Sequence, residues 1–326
     1  VFGEEKRMVK FQKEPELNSP FLVAAWPGMG NVALKAATYL REKLKAEEFG
    51  EIEPGGFFHP VGAYIKGNVV EIPKFPKSKF YYWKDSKSAH DLVIFLGEAQ
   101  PAPEKEYEFA CEILDLAGKF GVERVYTFAA MPSVMEHTNE PKVWAVVTHS
   151  SLVKDLGDYG VSLMNEGQIS GMNGLLLAVA KEKGFQGICL LGELPYYTIQ
   201  IENPKSSKAV LEIVCKMLGI EIDTAELDNQ AKRIEGEIEK FVDYFKLHGV
   251  QEPKKPISNE EIEKIKESFG VHTRIPDSAK EKIQRLFQEA KKDISKAREL
   301  KAELDRWDIY KEYEDKFLDL FKKGHH

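Results

Sequence analysis

The chain has 326 residues, 43% of them apolar and 30% charged, with a formal net charge of −7. That length is about two ordinary domains, and the apolar fraction belongs to a folded, well-solvated protein and excludes a disordered one. The acidic balance excludes a general nucleic-acid binder, which needs a basic face, and no apolar run reaches the roughly 20 residues of a membrane span. Val1 to Lys10 alternates charges with apolar residues instead of showing a signal-peptide core, so a cytoplasmic protein is expected. Lys and Glu abound while Asn and Gln are sparse, a bias of heat-adapted proteins, and a thermophilic source is expected. Cys111, Cys189 and Cys215 lie far apart in apolar or amphipathic runs and read as buried thiols. His325 and His326 follow Gly324 and read as a tag remnant, residues 324–326.

In chain order, Phe21 to Ala25 is a short apolar run, followed by the turn Trp26-Pro27-Gly28-Met29-Gly30-Asn31 and a helix pattern from Val32 to Lys45. Residues 51–83 hold short β-rich pieces broken by prolines and glycines, as in hairpins or an edge meander. Asp91 to Gly97 is a continuous apolar strand without alternation, which predicts burial on both faces. A helix over about 104–120 and a second buried strand over 122–129 complete a β-α-β unit. A third strand is expected over 143–148. The glycine-rich turn 167–174 leads into a helix over 175–183, then a strand over 187–191 and a helix over 205–218. Beyond residue 222 the pattern is helical. Leu227, Ala231, Ile234, Ile238, Phe241 and Phe245 form a seam spaced by alternating fours and threes, which needs a partner face in the same or another chain. Pro253 and Pro256 begin a linker. Asp277 is placed to cap a further helix, and a last helix over about 307–322 carries Trp307, Tyr310, Tyr313, Phe317 and Phe321, residue types that dominate interfaces. The expected divisions are an α/β domain over 1–222, an amphipathic helix over 223–250 and a helical extension over 251–323.

Two strands are expected to end alike, in Leu96-Gly97-Glu98-Ala99-Gln100-Pro101 and Leu191-Gly192-Glu193-Leu194-Pro195. Carboxyl ends of strands border the usual ligand crevice of an open α/β sheet, where two carboxylates serve acid/base work or hold a cation. The plainer reading is that each turn ends its strand and caps backbone amides. The candidate crevice comprises Gly28, Gly30, Asn31, Glu98, Gln100, Gly171, Asn173 and Glu193. The turns at Gly28 and Gly167 precede helices, where an anion is favoured, yet Ala33 stands where a dinucleotide fingerprint has its third glycine, and no Walker pattern is present. His149-Ser150-Ser151 reads as a helix cap rather than a nucleophile and base, and the histidines lack metal-ligand spacing. The basic-aromatic run Lys74 to Lys87 suits either base stacking or an exposed hairpin or subunit contact. No catalytic residue, metal or cofactor is assigned.

The turn 26–31, the strand end 96–101, the stretch Gly167-Gln168-Ile169-Ser170-Gly171-Met172-Asn173-Gly174-Leu175-Leu176-Leu177 and Cys189-Leu190-Leu191-Gly192-Glu193-Leu194-Pro195 stand in the order found in the PAC2 family. Over about residues 15–248 the chain resembles an archaeal member of that family, whose relatives include proteasome assembly chaperones. The resemblance implies a three-layer α/β/α sandwich with a mixed, largely parallel sheet of phosphorylase-like shape. It also implies homo-oligomerisation and binding of proteasome α-subunits. Family members have also been labelled ATP-grasp-type ligases, which would place an ATP-dependent activity in the crevice near Glu98 and Glu193. Chaperones of this type are similar to proteasome activators that end in a hydrophobic-Tyr-any residue tail. Here Phe321-Lys322-Lys323 precede the tag-like end, and Ile309-Tyr310-Lys311 fits the pattern at an internal position.

Overall fold

Phe21–Ala25 is buried at all five positions, which a strand of apolar residues achieves when both faces of its sheet are covered. In the computed structural model, which describes residues 9–59, 62–84, 90–247 and 277–306 and positions 310, 313, 316–318 and 320, this strand lies near the middle of a mixed sheet. The described strands are β1 (Val9–Phe11), β2 (Phe21–Ala25), β3 (Glu47–Ile52), β4 (Tyr64–Lys66), β5 (Val69–Glu71) and β6 (Ser78–Trp83). They continue with β7 (Leu92–Gly97), β8 (Arg124–Ser133), β9 (Val143–Val147), β10 (Ser162–Leu163) and β11 (Gln186–Pro195). Among the described residues the main sheet has nine strands in the order β1-β3-β6-β7-β2-β8-β11-β9-β10, and β4 and β5 form a separate pair. Its central four, β7-β2-β8-β11, are parallel, while β6 and β9 run antiparallel on either side of them.

Helices cover both faces. Alternation along the strands sends Val23, Ile94 and Leu190 to one side, against Ala33, Ala36 and Leu40 of α1 (Val32–Leu44) and Val210, Leu211 and Val214 of α4 (Pro204–Leu218). Leu22, Ala24 and Phe95 go to the other side, against Phe109 and Ile113 of α2 (Glu106–Lys119) and Met172 and Leu176 of α3 (Met172–Glu182). The three-layer α/β/α sandwich implied by the sequence is the architecture of this unit. Outside it, α5 (Ala225–Leu247) lies on α4, with Leu227 in the core and the ion pair Lys208–Asp228 at 2.5 Å. Leu227, Ala231 and Ile238 are thus buried within the chain itself, whereas the side chains of Phe241 and Phe245 lie outside the described residues.

Several local expectations differ from what forms. β11 does not end at Leu191, because β8 is itself longer and pairs with it in parallel from Arg124↔Gln186 to Ser133↔Pro195, while β9 covers its other edge as far as Gly192. Gly192-Glu193-Leu194-Pro195 is therefore strand, not turn. The run Lys74 to Lys87 supplies β6, in which Phe80 and Tyr81 are buried, so those rings are closed to base stacking. Ser150–Tyr159 is a 3-10 segment with His149 at its cap position and no side-chain cap bond, so neither Ser150 nor Ser151 caps a helix. The Thr148 hydroxyl instead meets His149 Nδ1 at 2.8 Å.

The chain divides into two units, Val1–Pro256 and Ile257–His326. The second contains α6 (Asp277–Lys292) and α7 (Ala297–Arg306). It has a core of its own, built by Ile283, Leu286, Phe287, Leu300, Leu304 and Phe317. The Pro253 and Pro256 linker lies outside the described residues.

Candidate functional site

The motif loops converge at the carboxyl ends of the central strands, and a knot of side-chain amides holds them there. Where the chain leaves β2 at Trp26, its main chain loses ladder partners. Asn173, in the first turn of α3, replaces them: its Oδ1 accepts from Trp26 N–H at 3.0 Å and its Nδ2 donates to Trp26 C=O at 3.1 Å. Gln100, beyond β7, donates to Pro27 C=O at 2.7 Å and accepts from Met172 N–H at 2.9 Å, satisfying a free donor at the start of α3. Gly28 lies next to the Asn173 amide and Gly171 next to the Gln100 amide. The structure thus brings together four of the eight candidates, Gly28, Gln100, Gly171 and Asn173, around the exit from β2.

Gly30 and Asn31 belong to the other side of the same loop. Both adopt left-handed backbone, with φ of 59° and 50°. A Cβ at Gly30 would stand 2.7 Å from the side chain of the buried Leu194, so close packing adds to the left-handed conformation in favouring glycine there. Its N–H donates to Ile199 C=O at 2.7 Å and its C=O accepts from Asn203 N–H at 2.8 Å. Glu202 receives Lys35 Nζ at 3.0 Å and Asn31 Nδ2 at 3.4 Å. The structure adds Glu202 and Asn203 to the region. Asn203-Pro204 could have been read as a helix start, since Asn203 Oδ1 accepts from Ser206 N–H at 2.9 Å and Pro204 takes the first helical position.

Glu98 and Glu193 are not brought together. β7 and β11 are separated by β2 and β8, which places them three inter-strand spacings apart, roughly 14 Å. Glu98 accepts from Lys77 N–H at 2.9 Å at the β6–β7 junction. Glu193 accepts from Trp144 Nε1 at 3.0 Å and Lys142 N–H at 3.3 Å, tying β11 to β9. In these places each carboxylate serves neighbouring donors, and a shared cation or an acid/base pair would need them far closer.

Elsewhere, burial pushes the thiols of Cys189 and Cys215 up to about 12, which keeps them protonated and unreactive. Burial also lowers the imidazole of His137 below its ordinary value, with Glu235 and Glu239 opposing, and Tyr197 meets its Nδ1 at 3.0 Å. A cleft of about 180 Å³ between α4 and α5 is lined by Lys205, Lys208, Glu212, Asp228 and Glu235. Lys205 pairs there with Glu235 and Lys208 with Asp228. Among the described residues no group of three or more His, Cys, Asp or Glu is placed to hold a metal ion, and no helix is long and apolar enough to cross a membrane. Of the aromatic residues proposed for partner contact, Phe317 is buried in the second unit's core, with Tyr310 edge-on to it at 5.5 Å and Tyr313 at 5.7 Å from Phe287. Trp307 and Phe321 lie outside the described residues.

Comparison with known proteins finds relatives in sequence and in fold. The profile of the PAC2 family matches residues 22–242. An uncharacterised protein of Methanocaldococcus jannaschii is 32% identical over 251 residues, covering 76% of this chain and 93% of that one. Among solved structures, Pyrococcus furiosus PbaB, described as an archaeal proteasome activator, is 34% identical with a TM-score of 0.62, covering 72% of this chain and 97% of its own. Pyrococcus furiosus PbaA, described as an archaeal homolog of proteasome-assembly chaperone, is 25% identical with a TM-score of 0.56 over 72% and 96%. With the family match spanning more than half its length and a relative 32% identical over most of both chains, the chain belongs to the PAC2 family.

Proposed function

We propose that this chain is an oligomeric assembly chaperone or scaffold that works by binding other protein chains, with proteasome α-subunits as its partners. The observation that carries the reading is its likeness to PbaB, 34% identical across nearly the whole of that proteasome activator. The candidate site supports it in a second way. Gln100, Asn173, Glu98 and Glu193 are engaged with main-chain or indole donors and acceptors, which gives each a structural task at the strand ends. The second unit, with its own core, is assigned the capture of the partner.

The test is to mix the purified full chain with purified archaeal proteasome α-subunits and follow complex formation by size-exclusion chromatography and native mass spectrometry. A parallel sample lacks residues 257–326. Co-elution of the full chain with α-subunits, weakened by the truncation, is the expected result. Separate elution at micromolar concentrations would refute the partner assignment, and undiminished capture by the truncated chain would move the contact to the α/β unit.

A further inference from the structure

The connection between β3 and β6 leaves and re-enters the sheet at the carboxyl end of β7, since Ser78 pairs with Gly97 and Glu51 with Lys79. On it stands the β4–β5 hairpin, closed by Gly67 and Asn68, both with positive φ as a tight two-residue turn requires. All six strand residues are exposed. Tyr64 and Val69 lie on one face, and Ile65 and Val70, directly opposite each other, on the other. Their exposures are 67%, 62%, 78% and 69%, and Ile72 next to them is 79% exposed. An isolated two-stranded hairpin is marginal in water, and its exposed apolar side chains suit an arm laid on another surface.

The same end of the sheet carries a second apolar feature. Met29 follows β2, Val134 follows β8 and Tyr196 follows β11, three adjacent strands, and these side chains are exposed by 43%, 99% and 50%. Arm and patch therefore lie at one end of the sheet but over opposite halves of it, the arm beyond β7 and the patch over β2, β8 and β11.

We propose that the β4–β5 hairpin is an exchanged arm through which two copies of this chain associate, each arm lying on the Met29, Val134 and Tyr196 patch of the other. This inference rests on the oligomeric reading given above and assigns the surface that makes it. A two-fold axis facing this end of the sheet brings each arm over the other copy's patch, which is the self-complementary arrangement of an isologous dimer. Area favours a second copy over a foreign partner. The face with Ile65, Val70 and the adjoining Ile72 offers on the order of 300 Å² per arm. A foreign protein covering that face of one arm would bury roughly 600 Å² in all, below the roughly 1,000 Å² of a specific interface, whereas reciprocal exchange doubles this to about 1,200 Å².

The test compares the full-length chain with the variants Ile65→Asp/Val70→Asp and Val134→Asp by light scattering and thermal melting. Expected are an oligomer for the unaltered chain and a halved mass, with unchanged melting of the protomer, for either variant. In addition, the double substitution Val70→Cys/Val134→Cys should give a disulfide-linked dimer under oxidation, while neither single cysteine variant should. An oligomer that keeps its mass in both aspartate variants and does not cross-link overturns the arm while leaving self-association intact. A monomeric unaltered chain overturns both. If that monomer also loses α-subunit capture on Ile65→Asp/Val70→Asp, the arm's occupant is the α-subunit and not a second copy.

Discussion

The side-chain amide of Asn173 engages both main-chain polar groups of Trp26, a residue 147 positions earlier, at 3.0 and 3.1 Å. An amide offers a donor and an acceptor side by side without carrying charge, so it continues the ladder of β2 for one further residue. Asn173→Ala would leave a buried N–H and a buried C=O unsatisfied, at a cost of about 2–4 kcal/mol. Urea unfolding of the variant should show that loss. A midpoint within error of the unaltered chain would mean that other groups replace the amide.

A second relationship at the same residue is steric. A Cβ added at Gly97 would stand 2.4 Å from Cδ1 and Nε1 of the buried Trp26 ring. Gly97→Ala should therefore destabilise by about 1–3 kcal/mol through overpacking. Trp26 Nε1 is buried without a hydrogen-bond partner among the described residues, so Trp26→Phe loses packing but no hydrogen bond. The double variant should be more stable than the sum of the single losses implies, and a double-mutant cycle that comes out additive would contradict the contact.

Glu193 has two donors and Glu98 one side-chain-accepted N–H, so their glutamine variants should differ. Glu193→Gln leaves one oxygen for two donors and should cost about 0.5–1.5 kcal/mol, while Glu98→Gln should be close to neutral. Titration calorimetry with ATP should show no saturable heat in either variant or in the unaltered chain. Saturable micromolar binding, abolished by either substitution, would establish the crevice as a nucleotide site and reverse the structural reading of both carboxylates.

His137 should make the fold acid-sensitive. Burial holds its imidazole below the ordinary value, so the folded state prefers the neutral ring and the unfolded chain takes up the proton first as pH falls. The stability it contributes is present above about pH 6.5 and lost on acidification through the lower folded value. His137→Asn retains an acceptor for Tyr197 but cannot titrate there. Stability measured between pH 7 and pH 5 should fall less steeply in this variant, and parallel profiles would show that other groups set the dependence.

The sequence by itself determined the α/β layers and the position of the motif loops. Phe21–Ala25 and Leu92–Gly97 are legible because a central strand must be apolar at nearly every position, and α1, α2 and α4 because one helical face must be apolar. β1 and β10, of three and two residues, have too few positions to show a period and exist only because neighbouring strands supply their partners. The extension of β11 through Glu193 depended in the same way on the length of β8. Strand order was likewise outside the sequence pattern: Glu98 and Glu193 sit in similar local motifs, and only the insertion of β2 and β8 between their strands keeps them apart. Tyr310 and Phe317 illustrate the same limit, because an apolar helix face looks alike whether its partner lies in the same chain or another. Local chemistry is written residue by residue, but which surface meets which is settled by contacts between segments far apart in the chain, and those form only when the whole core closes.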